Sequence, residues 1–216
     1  MSIFFTMRNA EKITLIIVII SFILGVALYQ SMPDLMASHW NIHGQVDDYL
    51  PKFWGLFLMP FISAVMLVLF IFIPKIDPLK HNINKFRKYF DGFMILIILF
   101  LLSLYIVTIL WSSGITFNMI YFIVPAIAII FYYTGVLIEN AKRNWFIGIR
   151  TPWTLSSERV WNKTHKLGGK LFKILSAIIL IGVLLTDYAF LIMLIPILGI
   201  TIYLIAYSYV EYSRKK

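Results

Sequence analysis

The chain has 216 residues, of which 61% are hydrophobic and 13% charged, and its mean hydropathy is +0.87. Soluble domains are about 45–50% apolar and about 25% charged, so a soluble enzyme, a disordered chain and a nucleic-acid-binding domain are excluded together. The formal charge of +9 has no meaning until it is located, and the lack of cysteine removes disulfides, thiolate metal sites and cysteine nucleophiles.

A helix crossing the hydrocarbon core needs about 20 apolar residues, within a range of about 17–25. In chain order the candidate spans are Ile13–Tyr29, Phe53–Pro74, Phe93–Trp111, Met119–Ile138, Leu171–Leu185 and Ala189–Tyr207. Gly25-Val26-Ala27 loosely resembles a cleavage site. The first stretch nevertheless exceeds a signal-peptide core of about 7–15 residues and is read as a retained helix. The fifth is the shortest and begins beside Lys173, whose long stem can reach the headgroups.

Lys and Arg fix the orientation. All but one lie on the side of the termini: Arg8 and Lys12, then Lys75, Lys80, Lys85, Arg87 and Lys88. The set continues with Lys142, Arg143, Arg150, Arg159, Lys163, Lys166, Lys170 and Lys173, and ends with Arg214, Lys215 and Lys216. The opposite side holds Lys52 with Asp34, Asp47, Asp48 and Asp187. The expectation is an all-α membrane protein: a six-helix transmembrane bundle, both termini cytoplasmic, with a cytoplasmic amphipathic helix before the fifth span. The basic excess then marks the cytoplasmic face and its attraction to anionic lipid, not direct nucleic-acid binding.

Asp91, Glu139, Lys173 and Asp187 all fall at span boundaries. A mid-membrane ionisable group usually marks an ion path or relay, so a proton-coupled pump is disfavoured. Gly25, Gly135, Gly182 and Gly199 stand isolated, which predicts packing through Leu, Ile and aromatic surfaces. Pro60, Pro125 and Pro196 recur in the even-numbered spans. They either bend three hairpins at one depth or reflect the general tolerance of membrane helices for proline.

The outer loop 31–52 is too aromatic for a flexible linker, and Asn41 to Gly44 has turn chemistry. His39, His43 and Asp47 at four-residue spacing would align on a helix as Zn²⁺ ligands, but Gly44 interrupts it and no fourth ligand follows. A structured loop with His39 bonded to backbone is expected, with no metal and no cofactor. Its acidity suits a cationic extracellular molecule.

The inner loop 139–170 carries half of the six tryptophans. Thr151-Pro152 reads as a cap and first helical position. Ser156 or Ser157 caps a second start, with Glu158 in its first turn. Trp161, Thr164, His165 and Gly168 then share one face, and Arg159, Lys163, Lys166 and Lys170 another. This predicts an amphipathic interfacial helix. Arg150 either pairs with a headgroup phosphate or Glu158, or joins a surface offered to a cytoplasmic partner. Neither loop shows a nucleophile elbow or phosphate-binding motif, so no enzyme is expected.

The run from Asn144 through Gly148, Arg150, Thr151, Pro152, Trp153, Thr154, Leu155, Glu158, Trp161, Thr164 and His165 to Gly169 closely resembles the signature of the SdpI-like family of bacterial and archaeal membrane proteins. Pro33, His39, Trp40, Asn41, Gly44, Asp47, Tyr49 and Lys52, with Asp77-Pro78 and Asn82, resemble a domain of unknown function that often precedes it. The expected layout is an N-terminal membrane hairpin domain, 1–90, with basic loop 75–90, followed by an SdpI-like domain, 91–216. The resemblance implies immunity to a secreted, membrane-active toxic peptide and sensing of that peptide. It also implies a small winged-helix repressor held at the cytoplasmic face. A transporter or permease for a small or apolar molecule is the alternative.

Overall fold

The structure is a computed structural model and describes residues 7–214; Lys215 and Lys216 of the basic tail lie outside the described residues. Helix α1 (Asn9–Leu28) leads to strands β1 (Leu35–Trp40) and β2 (Val46–Pro51). Then come α2 (Lys52–Ile76), α3 (Lys80–Lys85), α4 (Arg87–Ser112) and α5 (Ile120–Asn140). Short α6 (Pro152–Ser156), long α7 (Glu158–Ile181), a 3-10 turn at Thr186–Tyr188 and α8 (Ala189–Ser213) complete the chain. Pro125 and Pro196 lie inside continuous helices.

Five segments among the described residues are long and apolar enough to cross a membrane: α1, α2, α4, α5 and Thr186–Ser213. The fold is that of a helical membrane protein. The stretch Leu171–Leu185 does not form a helix of its own. It continues from the amphipathic segment as the second half of α7, because nothing between the Ser157 cap and Gly182 interrupts the backbone ladder. The polar first half dilutes the hydropathy of the whole. The outer loop departs from a purely helical plan by forming an antiparallel hairpin.

The chain divides into two compact units. The first comprises residues up to Ile71 together with Met94–Ile120. Its core joins Met32 and Met36 to Leu56 of α2 and to Tyr105 and Ile109 of α4. Met36 of β1 is fully buried beside Ala37, and Gly55 makes room for it: a Cβ there would lie 2.7 Å from the Met36 Cβ. Gly25 is equally confined, with the Phe57 ring 3.0 Å and the Tyr105 hydroxyl 3.1 Å from where a Cβ would stand.

The second unit comprises Phe72–Phe93 and Tyr121 onward. Within it α7 and α8 run antiparallel. Gly182 abuts Ala189 at one end, Gly168 faces Leu204 midway, and Arg159 meets Glu211 at the other end. Helices α5 and α7 touch backbone to backbone. A Cβ on Gly135 would stand 2.7 Å from the Gly169 carbonyl oxygen, and one on Gly169 would stand 2.8 Å from that of Gly135. Lys173 Nζ and Glu139 Oε2 pair at 2.5 Å beside this crossing. Packing through bulky side chains alone is therefore corrected: glycines set the closest approaches, as small residues do where membrane helices meet.

Candidate functional site

Each unit holds one of the two informative loops. In the first, the hairpin turn is built by Asn41. Its Oδ1 accepts the backbone N–H groups of His43 (2.9 Å) and Gln45 (3.1 Å), while its own N–H reaches the Gln45 carbonyl at 2.8 Å. Gly44 adopts φ 73°, the left-handed region that glycine tolerates at little cost. The turn is anchored from below. Asn118 Nδ2 donates to the His43 carbonyl at 3.0 Å, and the Met119 N–H donates to the Gly44 carbonyl at 3.2 Å.

His39 Nδ1 lies 2.6 Å from Asp47 Oδ1 across the strands, in place of the expected backbone bond. A strand pair brings these residues together because the turn folds β2 back on β1. Among the described residues no three His, Cys, Asp or Glu side chains gather as metal ligands. Trp40 and Tyr49 both approach the Trp111 ring, at 6.4 Å between centroids. Lys52 pairs with Asp34 at 3.0 Å and lies 5.6 Å from the centre of the Tyr29 ring.

In the second unit the signature segment forms a knot against α7. Asn144 is fully buried and uses all of its hydrogen-bonding capacity. Nδ2 donates to the carbonyls of Lys142 (2.8 Å) and Ile147 (2.9 Å), and Oδ1 accepts from the N–H groups of Phe146 (2.9 Å) and Ile147 (2.6 Å). Trp161 is also fully buried. It donates from Nε1 to the Ala141 carbonyl at 2.9 Å and stacks on His165 at 3.8 Å.

His165 Nε2 accepts the Ile149 N–H at 2.9 Å, which leaves Nδ1 to donate to the Trp161 carbonyl, also at 2.9 Å. Both nitrogens are thus engaged in the neutral ring. Burial pushes this imidazole down to about 4, against the raising effect of the Trp161 carbonyl. Gly148, at φ 118°, lies against the same ring, where a Cβ would collide with Nε2.

Thr151 caps α6 as the sequence predicts. Its Oγ1 accepts the Thr154 N–H at 3.2 Å, its own N–H reaches Thr154 Oγ1 at 2.9 Å, and Pro152 follows. Thr154 Oγ1 donates onward to the Ile149 carbonyl at 2.8 Å, and Thr151 Oγ1 lies 3.0 Å from Ser208 Oγ on α8. Trp153 packs on Tyr209 with ring centres 5.1 Å apart. The Leu155 carbonyl accepts from Arg143 Nη1 at 3.2 Å.

Arg150 is exposed and donates to the Trp145 carbonyl at 2.8 Å; Glu158 is exposed in the first turn of α7. Thr164 is buried with Trp161 and His165, and its hydroxyl has no hydrogen-bond partner among the described residues. The structure therefore brings Asn144, Gly148, Thr151, Thr154, Trp161 and His165 into one buried lock. Arg150, Trp153 and Glu158 lie around its edge.

Two acids matter more than sequence reasoning suggests. Asp77 is buried and bridges two segments: Oδ1 accepts the Leu79 N–H at 2.6 Å and Oδ2 accepts the Trp145 N–H at 2.8 Å. Asn82 adds a bond to the Arg143 carbonyl at 2.9 Å. Glu211, buried near the end of α8, collects Arg159 (3.1 Å), Lys163 (2.9 Å) and Arg214 (3.2 Å). Half of the basic face of α7 is thus occupied by a carboxylate of the same chain. The signal for Glu211 was its isolation as the last acid in an otherwise apolar and basic stretch.

The SdpI/YfhL protein family matches residues 140–208, which contain this lock and its α8 support. A domain of unknown function, DUF1648, matches residues 16–64, which contain the hairpin. The Immunity protein SdpI of Bacillus subtilis (strain 168) is 28% identical over 203 residues, covering 94% of this chain and 95% of that relative.

The chain is thus similar to the SdpI-like family over the signature segment and to one immunity protein along most of its length. It is a multi-pass cell-membrane protein. No solved structure matches the chain. Each family block lies inside one of the two compact units, so the SdpI-like signature coincides with the α5–α8 unit and not with the hairpin.

Proposed function

We propose that this chain is a non-enzymatic immunity protein. It protects its cell from a secreted, membrane-active toxic peptide and signals the peptide's presence to a small winged-helix repressor on the cytoplasmic side. The observation carrying this reading is the end-to-end similarity to an immunity protein, with 94% of the chain aligned. Supporting it, the hairpin is a folded, acidic platform and the signature segment is a rigid lock. Signalling requires two conformations that the peptide and the repressor prefer differently.

The accompanying topology has six crossings with both termini cytoplasmic. Helix α7 supplies the additional crossing. The crossing is made by the apolar stretch from Leu171 onward, which packs beside the spanning α8, while the polar first half of α7, with His165, stays on the cytoplasmic side. The charge bias of the loops sets the direction.

The reading is tested by expressing the chain in a strain sensitive to a cognate peptide. Protection that disappears in Arg150→Ala or Trp153→Ala, with membrane levels unchanged, assigns the activity to the signature segment. Protection unchanged in both removes that role.

A further inference from the structure

We propose that Trp145 and Phe146 form a fixed wedge that inserts into the headgroup region of the adjacent leaflet, with Lys142 and Arg150 on anionic lipid phosphates. In the signature segment most apolar groups turn inward, but Trp145 and Phe146 stay 51% and 39% exposed. Their exposure is held in place by the surrounding side chains. The Trp145 N–H is held by Asp77 Oδ2 at 2.8 Å, its carbonyl by Arg150 Nη1 at 2.8 Å, and the Phe146 N–H by Asn144 Oδ1 at 2.9 Å. Ordering the tip in advance lowers the entropy cost of insertion.

Its level relative to the bilayer follows from the same bonds. Asp77 is the residue immediately after α2, a spanning helix, and Trp145 lies five residues beyond Asn140, the last residue of spanning α5. The wedge is therefore held at the level of two helix ends, where tryptophan is favoured. Lys142 and Arg150 are exposed beside it, and a basic residue near an anionic surface contributes about 1 kcal/mol. A lipid surface satisfies both the apolar tip and its basic flanks. The wedge is independent of the immunity reading.

The chain contains no cysteine, so Phe146→Cys and Trp145→Cys each give a single labelling site for a nitroxide, with Glu158→Cys as an exposed reference. The labelled full-length variants are placed in vesicles of phosphatidylcholine alone and of phosphatidylcholine with phosphatidylglycerol. The expected result is that the labels at 145 and 146 collide with oxygen more than with a water-soluble nickel complex, the reverse of the reference. The protection should increase with phosphatidylglycerol, and protection confined to the anionic vesicles also upholds the wedge. Nickel accessibility equal to the reference at both positions in both lipids overturns it and leaves the tip as a surface for a soluble protein.

Discussion

His165 Nε2 accepts the backbone N–H of Ile149 at 2.9 Å, so one neutral imidazole fastens the signature segment to α7. A proton on Nε2 would remove that acceptor and place a charge among buried groups.

The pH dependence follows from this bond. The folded imidazole titrates at about 4 against an ordinary 6.5, so the unfolded chain takes up the proton first as pH falls. The contribution of His165 to stability is intact above about pH 6.5, declines as pH falls from there toward about 4, and is constant below; in full it amounts to about 3 kcal/mol. Thermal unfolding in detergent should give a lower Tm at about pH 5 than at about pH 7. His165→Gln, which keeps an acceptor for Ile149 but does not titrate, should flatten the curve. An unchanged pH slope in that variant would contradict the neutral lock.

Glycine positions should separate sharply. Gly169→Ala must push its Cβ against Glu139 Cβ and the Gly135 carbonyl, and Gly148→Ala combines a positive φ with collision at His165. Each should cost about 1–3 kcal/mol through overpacking or backbone strain. Gly199 has open space around it, so Gly199→Ala should be neutral or stabilising by less than about 1 kcal/mol. Chemical or thermal unfolding of the three variants in one detergent gives the ranking. Equal effects at Gly169 and Gly199 would rule out the close helix crossing.

Removing the Asp77 carboxylate in Asp77→Ala leaves the part-buried N–H groups of Trp145 and Leu79 without that acceptor, at no more than about 1 kcal/mol each, the low end of the range for a buried group. The loss should appear locally as faster amide exchange around 145–147. Exchange unchanged there would mean that the bridge contributes nothing to the order of the tip.

Topology has its own readout in the cysteine-free background. In intact cells an impermeant maleimide should label Asp48→Cys, and it should reach Glu158→Cys only after permeabilisation. Labelling of Glu158→Cys alone from outside would reverse the orientation, and labelling of both from outside would remove one of the crossings assigned to α2, α4 and α5.

Five of the six spans, their approximate limits and the α6 cap were legible because they depend on local composition and on hydroxyl and proline chemistry, whereas Leu171–Leu185 continues a helix that starts at the Ser157 cap. Trp161, Thr164 and His165 were legible as one face because helical spacing alone aligns them. The hairpin was half legible. Asn41 and Gly44 announce a turn, but the pairing of His39 with Asp47 depends on strand register, which spacing by four obscures. The Gly135–Gly169 contact and the Glu211 cluster were not legible. Both join segments distant in sequence, and a single glycine or glutamate carries no mark of its partner. Asp77 stood out only through its resemblance to a family pattern; its bond to Trp145 is a tertiary fact.

The most direct measurement is survival in the native host. A strain lacking this gene, exposed to medium conditioned by the wild type while the gene is expressed, should lose viability, and a plasmid copy of the chain should restore it. Equal survival of the deletion strain and the wild type would contradict an immunity function.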